Sequence, residues 1–229
     1  MESHFRTIEY NASRYGMQIN KEKTKMLCIS ACSSYIPVTY FCSTDGSCIG
    51  CTNSMRVLGF TFSGEPNVKK HLGVLQSKLK CRLWALCHLR KNGFKQSDLV
   101  LVYTSMIRPL AEYCLSVFYS MITVSDSLQL EHIQMQALKS IYGWKNSYSS
   151  LLKMSGLDRL DSRRENAFFE LAKNLSENPR FNSWFPKRLA SREGLRQMDV
   201  YKLYPSHTER YLKSPLNRMR RKLNELLRT

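Results

Sequence analysis

The chain has 229 residues, with 35 Lys+Arg against 18 Asp+Glu and a formal net charge of +17. That length suits one or two domains with a sizeable core. The charge excess goes beyond what solubility needs, which points to phosphate-rich partners rather than acidic proteins or small molecules. No apolar run is long enough to span a bilayer, and the opening Met-Glu-Ser-His-Phe-Arg lacks the basic and apolar regions of a signal peptide.

In chain order, His4 to Tyr15 places Phe5, Ile8, Ala12 and Tyr15 at helical spacing, and Gly16 supplies the stop. A short loop with Lys21, Lys23 and Lys25 follows. It is either a solvated connector or a contact for something negative. Thr24 to Ser30 alternates as a strand would, and Ile36 to Cys42 has strand composition. Thr44-Asp45-Gly46-Ser47 reads as a turn, leading into a strand over Ser47 to Cys51. A last strand is expected over Arg56 to Phe62, with Gly59 marking a bulge or a close backbone approach.

From Pro66 onward the pattern is helical. The first helix is predicted to run to Asn92, with Gly93 as its stop. Val68, Leu72, Leu75, Leu79, Leu83 and Leu86 form its apolar stripe, and Lys69, Lys70, Lys78, Lys80 and Arg82 lie largely off that stripe. A second helix runs from Ser97 to Val117, kinked or divided at Pro109. A third spans Ser125 to Tyr142 with Leu128, Ile133, Ala137, Leu138 and Ile141 on one side. A fourth starts near Leu157 and stops before Asn178-Pro179. Beyond Arg180 prolines break the pattern, and the charge is 13 Lys/Arg against 4 Asp/Glu. Asn217 to Leu227 reads as a short basic helix or as an arm ordered by its partner.

The fold class expected is α+β, mostly helical. A β-rich region occupies residues 1–63, a helical bundle residues 64–179, and a basic tail residues 180–229. The eight cysteines are dispersed, with Cys81, Cys87 and Cys114 inside helical patterns. That distribution predicts reduced thiols in a nuclear or cytoplasmic setting. Cys48-Ile-Gly-Cys51 is one close cysteine pair, with Cys28, Cys32 and Cys42 nearby. Structural zinc asks for two such pairs or their equivalent, so no metal is assigned. The five histidines are scattered and no glycine-rich phosphate loop or Gly-x-Ser-x-Gly occurs, so no catalytic residue is assigned.

Several blocks then fall into a known order. Tyr15-Gly16-Met17-Gln18-Ile19-Asn20-Lys21-Glu22-Lys23-Thr24-Lys25 resembles the segment after the catalytic acidic pair in reverse transcriptases of non-LTR (LINE-type) retrotransposons. Arg56-Val57-Leu58-Gly59-Phe60 is similar to the primer-grip hairpin at the palm–thumb junction. Ile107-Arg108-Pro109-Leu110-Ala111-Glu112-Tyr113 and Leu130-Glu131-His132-Ile133-Gln134-Met135-Gln136-Ala137-Leu138 resemble thumb-side helices. Leu160-Asp161-Ser162-Arg163-Arg164 matches a recurring Leu-x-x-Arg-Arg pattern, and Thr208-Glu209-Arg210-Tyr211 with Ser214-Pro215 and Leu223-Asn224 resembles the terminus of some of these reading frames.

The resemblance implies the end of a palm, a helical thumb and a basic tail, from an RNA-directed DNA polymerase. The polymerase aspartates of that family precede the first block, and this sequence begins after their places. Two-metal phosphoryl transfer needs such carboxylates. The expectation is therefore a fragment that is inactive alone and has no cofactor, Mg2+ being expected only for the intact polymerase. The implied partners are RNA, DNA or an RNA–DNA hybrid, with no membrane. The residues implied as contacts are Lys21, Lys23 and Lys25 of the loop, Leu58, Gly59 and Phe60 of the hairpin, Lys69, Lys70, Lys78 and Lys80 of the first long helix, and Arg218, Arg220 and Arg221 of the tail. Two alternatives stay open: a protein-interaction module that pairs through an exposed palm edge, and a non-functional product.

Overall fold

The computed structural model describes residues 2–30, 40–43, 45–65, 67–114, 118–188, 199–205 and 208–228. The protein is α+β and mostly helical, in two compact units, residues 1–72 and 73–229. The basic segment after residue 180 belongs to the second unit. Among the described residues, no helix is long and apolar enough to cross a membrane.

The first unit opens with α1 (Glu2–Arg14), after which Gly16 turns left-handed at φ 68°. Strands β1 (Tyr40–Cys42) and β2 (Cys48–Gly50) pair antiparallel around the turn at Gly46, with Phe41 opposite Ile49 and Cys42 opposite Cys48. Phe41, Ile49 and Met26 make a small core, and the Phe5 ring of α1 meets Phe41 edge-on at 4.8 Å. Of the strand predicted over Thr24–Ser30, a single parallel bridge between Met26 and Cys51 is formed. Only Met26 has a buried apolar side chain to hold that segment against its neighbour. Most of the predicted strand before Tyr40 lies outside the described residues.

The strand predicted over Arg56–Phe62 is instead a hairpin. Strand β3 (Ser54–Val57) pairs antiparallel with β4 (Phe60–Ser63), and Leu58 and Gly59 form the two-residue turn. Both turn residues have positive φ, 47° and 84°. Two positive φ values in a row match the twist of an antiparallel pair, which glycine adopts freely and leucine does at a cost. Gly59 is therefore the corner of the hairpin and not a bulge within one strand.

Helix α2 (Lys69–Lys91) begins three residues later than predicted and stops as predicted before Gly93. The second unit continues with α3 (Gln96–Val102), a π-helical turn over Tyr103–Ile107 and α4 (Arg108–Glu112). The wide turn is how the chain admits Pro109, which lacks the N–H that an α-helix would use there. Arg82 of α2 donates to the Met106 carbonyl within this turn. Helix α5 (Val124–Tyr142) starts at a capping box between Thr123 and Asp126. The short α6 (Tyr148–Ser155), capped by Ser147, had no strong periodic signal and was not predicted. Helix α7 (Leu160–Glu177) precedes a 3-10 turn at Pro179–Trp184, then α8 (Glu209–Leu212) and α9 (Pro215–Leu227).

The centre of this unit is α5. Leu130, Ala137, Leu138 and Ile141 are fully buried, each large aliphatic contributing roughly 1.5–3 kcal/mol of transfer free energy. Leu128, expected in this core, is instead 60 % exposed, because the inward face runs through Leu130 and Ile133. Between the apolar residues sit two polar ones, Glu131 and Gln134. Tyr103 donates to Gln134 Oε1 at 2.5 Å, while Gln134 Nε2 donates to the Tyr148 hydroxyl and the Asp158 carbonyl at 3.0 and 2.9 Å. Glu131 accepts from the Tyr148 hydroxyl at 2.5 Å and from the Asp161 backbone N–H at 3.2 Å. Two side chains of one helix thereby position the π-turn, α6 and the start of α7. Arg163 adds a two-pronged pair to Glu112 of α4, and the buried Arg164 donates to Ser127 at 2.6 Å.

Burial drives the Tyr103 hydroxyl well above its ordinary pKa of 10.0. For Tyr148, burial and then the hydrogen bond to Glu131 do the same. Both folded and unfolded chains keep these protons below that value, so the stabilisation is complete there. Above it the unfolded chain ionises first, and stability falls as pH rises toward the raised folded values. Tyr148→Phe should lower stability at neutral pH by on the order of 1–2 kcal/mol, through the partner left unsatisfied. It should also make the alkaline decline shallower than in the native chain. Urea unfolding followed from neutral pH to about pH 11 reads both effects.

Candidate nucleic-acid interface

The loop lysines of the first unit are not equivalent. The Asn20 side chain accepts from the Lys23 N–H at 3.0 Å, and Thr24 Oγ1 donates to the Asn20 carbonyl at 2.8 Å, folding residues 20–24 into one tight turn. Lys21 is half-buried in this turn and ion-paired with Asp45 of the β1–β2 turn. The ammonium of Lys21 holds the Asp45 carboxyl well below the usual carboxylate range, with Ser47 adding hydrogen bonds. The cleft beside Lys21 is lined by Glu9, Glu22 and Asp45 as well. Three carboxylates against one lysine make a poor anion site. Lys23 and Lys25 are exposed, and no ion pair joins them to the described residues.

The hairpin presents two of its three candidates. Leu58 is 87 % exposed at the tip and Gly59 turns beside it, whereas Phe60 is 6 % exposed and faces inward. Its ring packs on His71 at 4.3 Å and Phe62 at 4.7 Å. Phe60 is therefore a core residue, unavailable to a strand lying along the tip. At the start of α2, Lys69 and Lys70 are exposed and line a cleft of about 500 Å³ with Cys28, Asn53 and Glu65. Lys70 Nζ donates to the Asn53 carbonyl at 3.4 Å.

In the second unit Lys78 and Lys80 are both exposed, yet they do not form one patch. Two positions apart on a helix are about 200° apart around its axis. Lys80 borders a groove between α2 and α5, lined with Gln76, Gln129, His132 and Gln136. Gln76 donates to Gln129 across it at 2.7 Å. Lys78 points to the opposite flank, the side on which Arg82 reaches the π-turn. Arg90, Lys91 and Lys95, not among the residues expected from sequence, are exposed at the end of α2 and in the turn after it. Trp84, one turn beyond Lys80, is 69 % exposed and stacks on His88 at 5.5 Å. The signal for both was present in the charge run around Gly93 and in a tryptophan off the apolar stripe.

The tail arginines have three different fates. Helix α9 buries Asn217, Met219, Arg220, Leu223 and Asn224 on one face. Arg220 is 5 % exposed and donates twice to the Trp184 carbonyl, at 2.9 and 2.6 Å, with its guanidinium over the Tyr204 ring. It is a tie within the fold and is not presented to a ligand. Arg218 lies over the Tyr119 ring at 4.3 Å and donates to the Tyr119 hydroxyl at 3.0 Å, keeping an exposed edge. Arg221 is exposed. The Asn224 amide bonds both the N–H and the carbonyl of Tyr201, at 2.8 and 3.0 Å, so the segment before α9 is held too. These contacts make the end of the chain a packed helix and not a free arm.

No group of three or more His, Cys, Asp or Glu among the described residues is arranged to hold a metal ion. Cys48 opens β2 and Cys51 follows the last residue of that strand, bridging to Met26 and packing against the small core. No protein-family model, curated protein or solved structure matches this chain.

The two neighbouring arginines separate fold from surface. Arg220→Ala should destabilise by about 1–3 kcal/mol, since the Trp184 carbonyl loses its buried donor, whereas Arg221→Ala should leave the thermal midpoint within a degree or two of the native value. Thermal unfolding of the two variants side by side checks this.

Proposed function

We propose that this chain is a thumb-like fragment of a non-LTR retrotransposon reverse transcriptase. In this reading it binds RNA, DNA or an RNA–DNA hybrid without sequence preference, in the nucleus or cytoplasm, and does not polymerise alone. The observation that carries the reading is how charge is divided within the second unit. Residues 73–229 hold 27 Lys+Arg against 13 Asp+Glu. The carboxylates are largely committed: Glu112 to Arg163, Asp161 to Arg159, Glu165 and Glu225 to Lys222, Asp199 to Arg228, Glu209 to Lys213. Glu131 and Asp126 are spent on the α5 network and the helix cap.

No ion pair among the described residues involves Lys78, Lys80, Arg90, Lys91 or Lys95. Uncompensated exposed cations on rigid helices suit a polyanion, whose backbone offers phosphates regardless of sequence. The ordered blocks of the sequence narrow the polyanion to nucleic acid and the family to reverse transcriptases. These 229 residues contain no Asp-Asp pair, so the activity proposed for them is binding and not phosphoryl transfer.

Fluorescence anisotropy with labelled single-stranded RNA, duplex DNA and hybrid of unrelated sequences tests the proposal. Affinity should be similar across sequences and fall steeply with salt. Lys80→Ala should reduce the log–log salt slope by about 0.9, the share of one lost phosphate contact. Absence of binding at low salt, or a salt-insensitive affinity, would overturn it. Self-association without nucleic-acid binding would instead favour the protein-interaction reading.

A further inference from the structure

The β1–β2 hairpin carries a chemistry that nucleic-acid binding does not use. Cys42 and Cys48 are register partners, and their sulfurs lie 3.2 Å apart. The Ser43 N–H donates to the Ser47 carbonyl next to them. That bonded position makes 42 and 48 a non-hydrogen-bonded pair, the kind with the closer Cα separation, about 4.5 Å. In agreement, the Cys42 N–H points out of the ladder, to Glu2 Oε1 at 3.4 Å. A disulfide spans Cα separations of about 4.4–6.8 Å, so the two thiols can join with little backbone movement. Cys48 is exposed and Cys42 half-buried.

We propose that Cys42 and Cys48 form a reversible thiol–disulfide site, oxidised by small-molecule disulfides. The exposed Cys48 thiolate attacks one sulfur of the incoming disulfide, forming a mixed disulfide and releasing one small thiol. Cys42 then gives up its proton and attacks the Cys48 sulfur, expelling the second small thiol. The two cysteine thiols lose two electrons and two protons, and the disulfide reagent gains both as two thiols. The hydrogen bond to Cys48 and burial raise the Cys42 pKa, which fits Cys42 acting second, within the mixed disulfide. An exposed cross-strand disulfide is of the labile, regulatory kind. It would close the turn that carries Asp45, the partner of Lys21, and so hold that lysine to its carboxylate.

The test is incubation of the full chain with oxidised glutathione, followed by intact mass and peptide mapping under non-reducing conditions. The expected product lacks two hydrogens, links the peptides of Cys42 and Cys48, and reverts with dithiothreitol. Cys81, exposed on α2 and six positions before the helix's other cysteine, half-buried Cys87, should appear as a glutathione adduct under the same conditions. Cys48→Ser should abolish the link. If the glutathione adduct forms on Cys81 while Cys42 and Cys48 stay free or carry separate adducts, the site does not exist.

Discussion

Glu131 and Gln134 lie on the buried face of α5, and the π-turn, α6 and the start of α7 are placed by satisfying them. A carboxylate that is 6 % exposed and an amide that is 1 % exposed are costly to bury without partners. Tyr103, Tyr148, the Asp158 carbonyl and the Asp161 N–H supply those partners from three separate segments. Apolar residues would fill the same space, but they would leave the rotation and axial shift of those segments loosely set. The network fixes both, because each hydrogen bond has a direction as well as a length.

Three of the sequence blocks on which the proposed family reading rests meet around this network. Glu112 belongs to one, Glu131 and Gln134 to the second, and Arg163 and Arg164 to the third. Their side chains bond to one another or to neighbouring helices, so the chemistry these blocks carry is the arrangement of helices. Residues suited to meeting a ligand are elsewhere, on the outer flanks of α2 and its end. The separation has an electrostatic cause. Carboxylates are drawn into internal pairs with Arg159, Arg163, Lys222 and Arg228, which leaves the surplus of cations on the surface.

The helical elements were legible because α2, α5 and α7 keep a periodic apolar face over many turns and end at Gly93, Gly143 or Asn178. The resemblance of Arg56–Phe60 implied a hairpin there, but composition alone obscured it, because leucine rarely takes positive φ and Gly59 by itself reads as a flaw in one strand. Helix α6 has only eight residues, too few for periodicity to declare itself. Among the candidate site residues, charge identified the lysines, but charge alone carries no information about partners. Lys21 finds Asp45, Arg220 finds a backbone carbonyl, and Lys78 and Lys80 diverge by the geometry of the helix. Phe60 was named for its place beside the turn, and alternation along β4 turned it inward.

The most direct test of the division between network and surface is the urea midpoint of Gln134→Ala set against that of Lys80→Ala. Removing the Gln134 amide leaves the Tyr103 hydroxyl and the Asp158 carbonyl without partners, and should cost on the order of 3 kcal/mol. Removing the Lys80 ammonium should change stability by less than about 0.5 kcal/mol. A Gln134 variant as stable as the native chain, or a Lys80 variant that loses as much as Gln134→Ala, would contradict this account of what holds the protein together and what it leaves free.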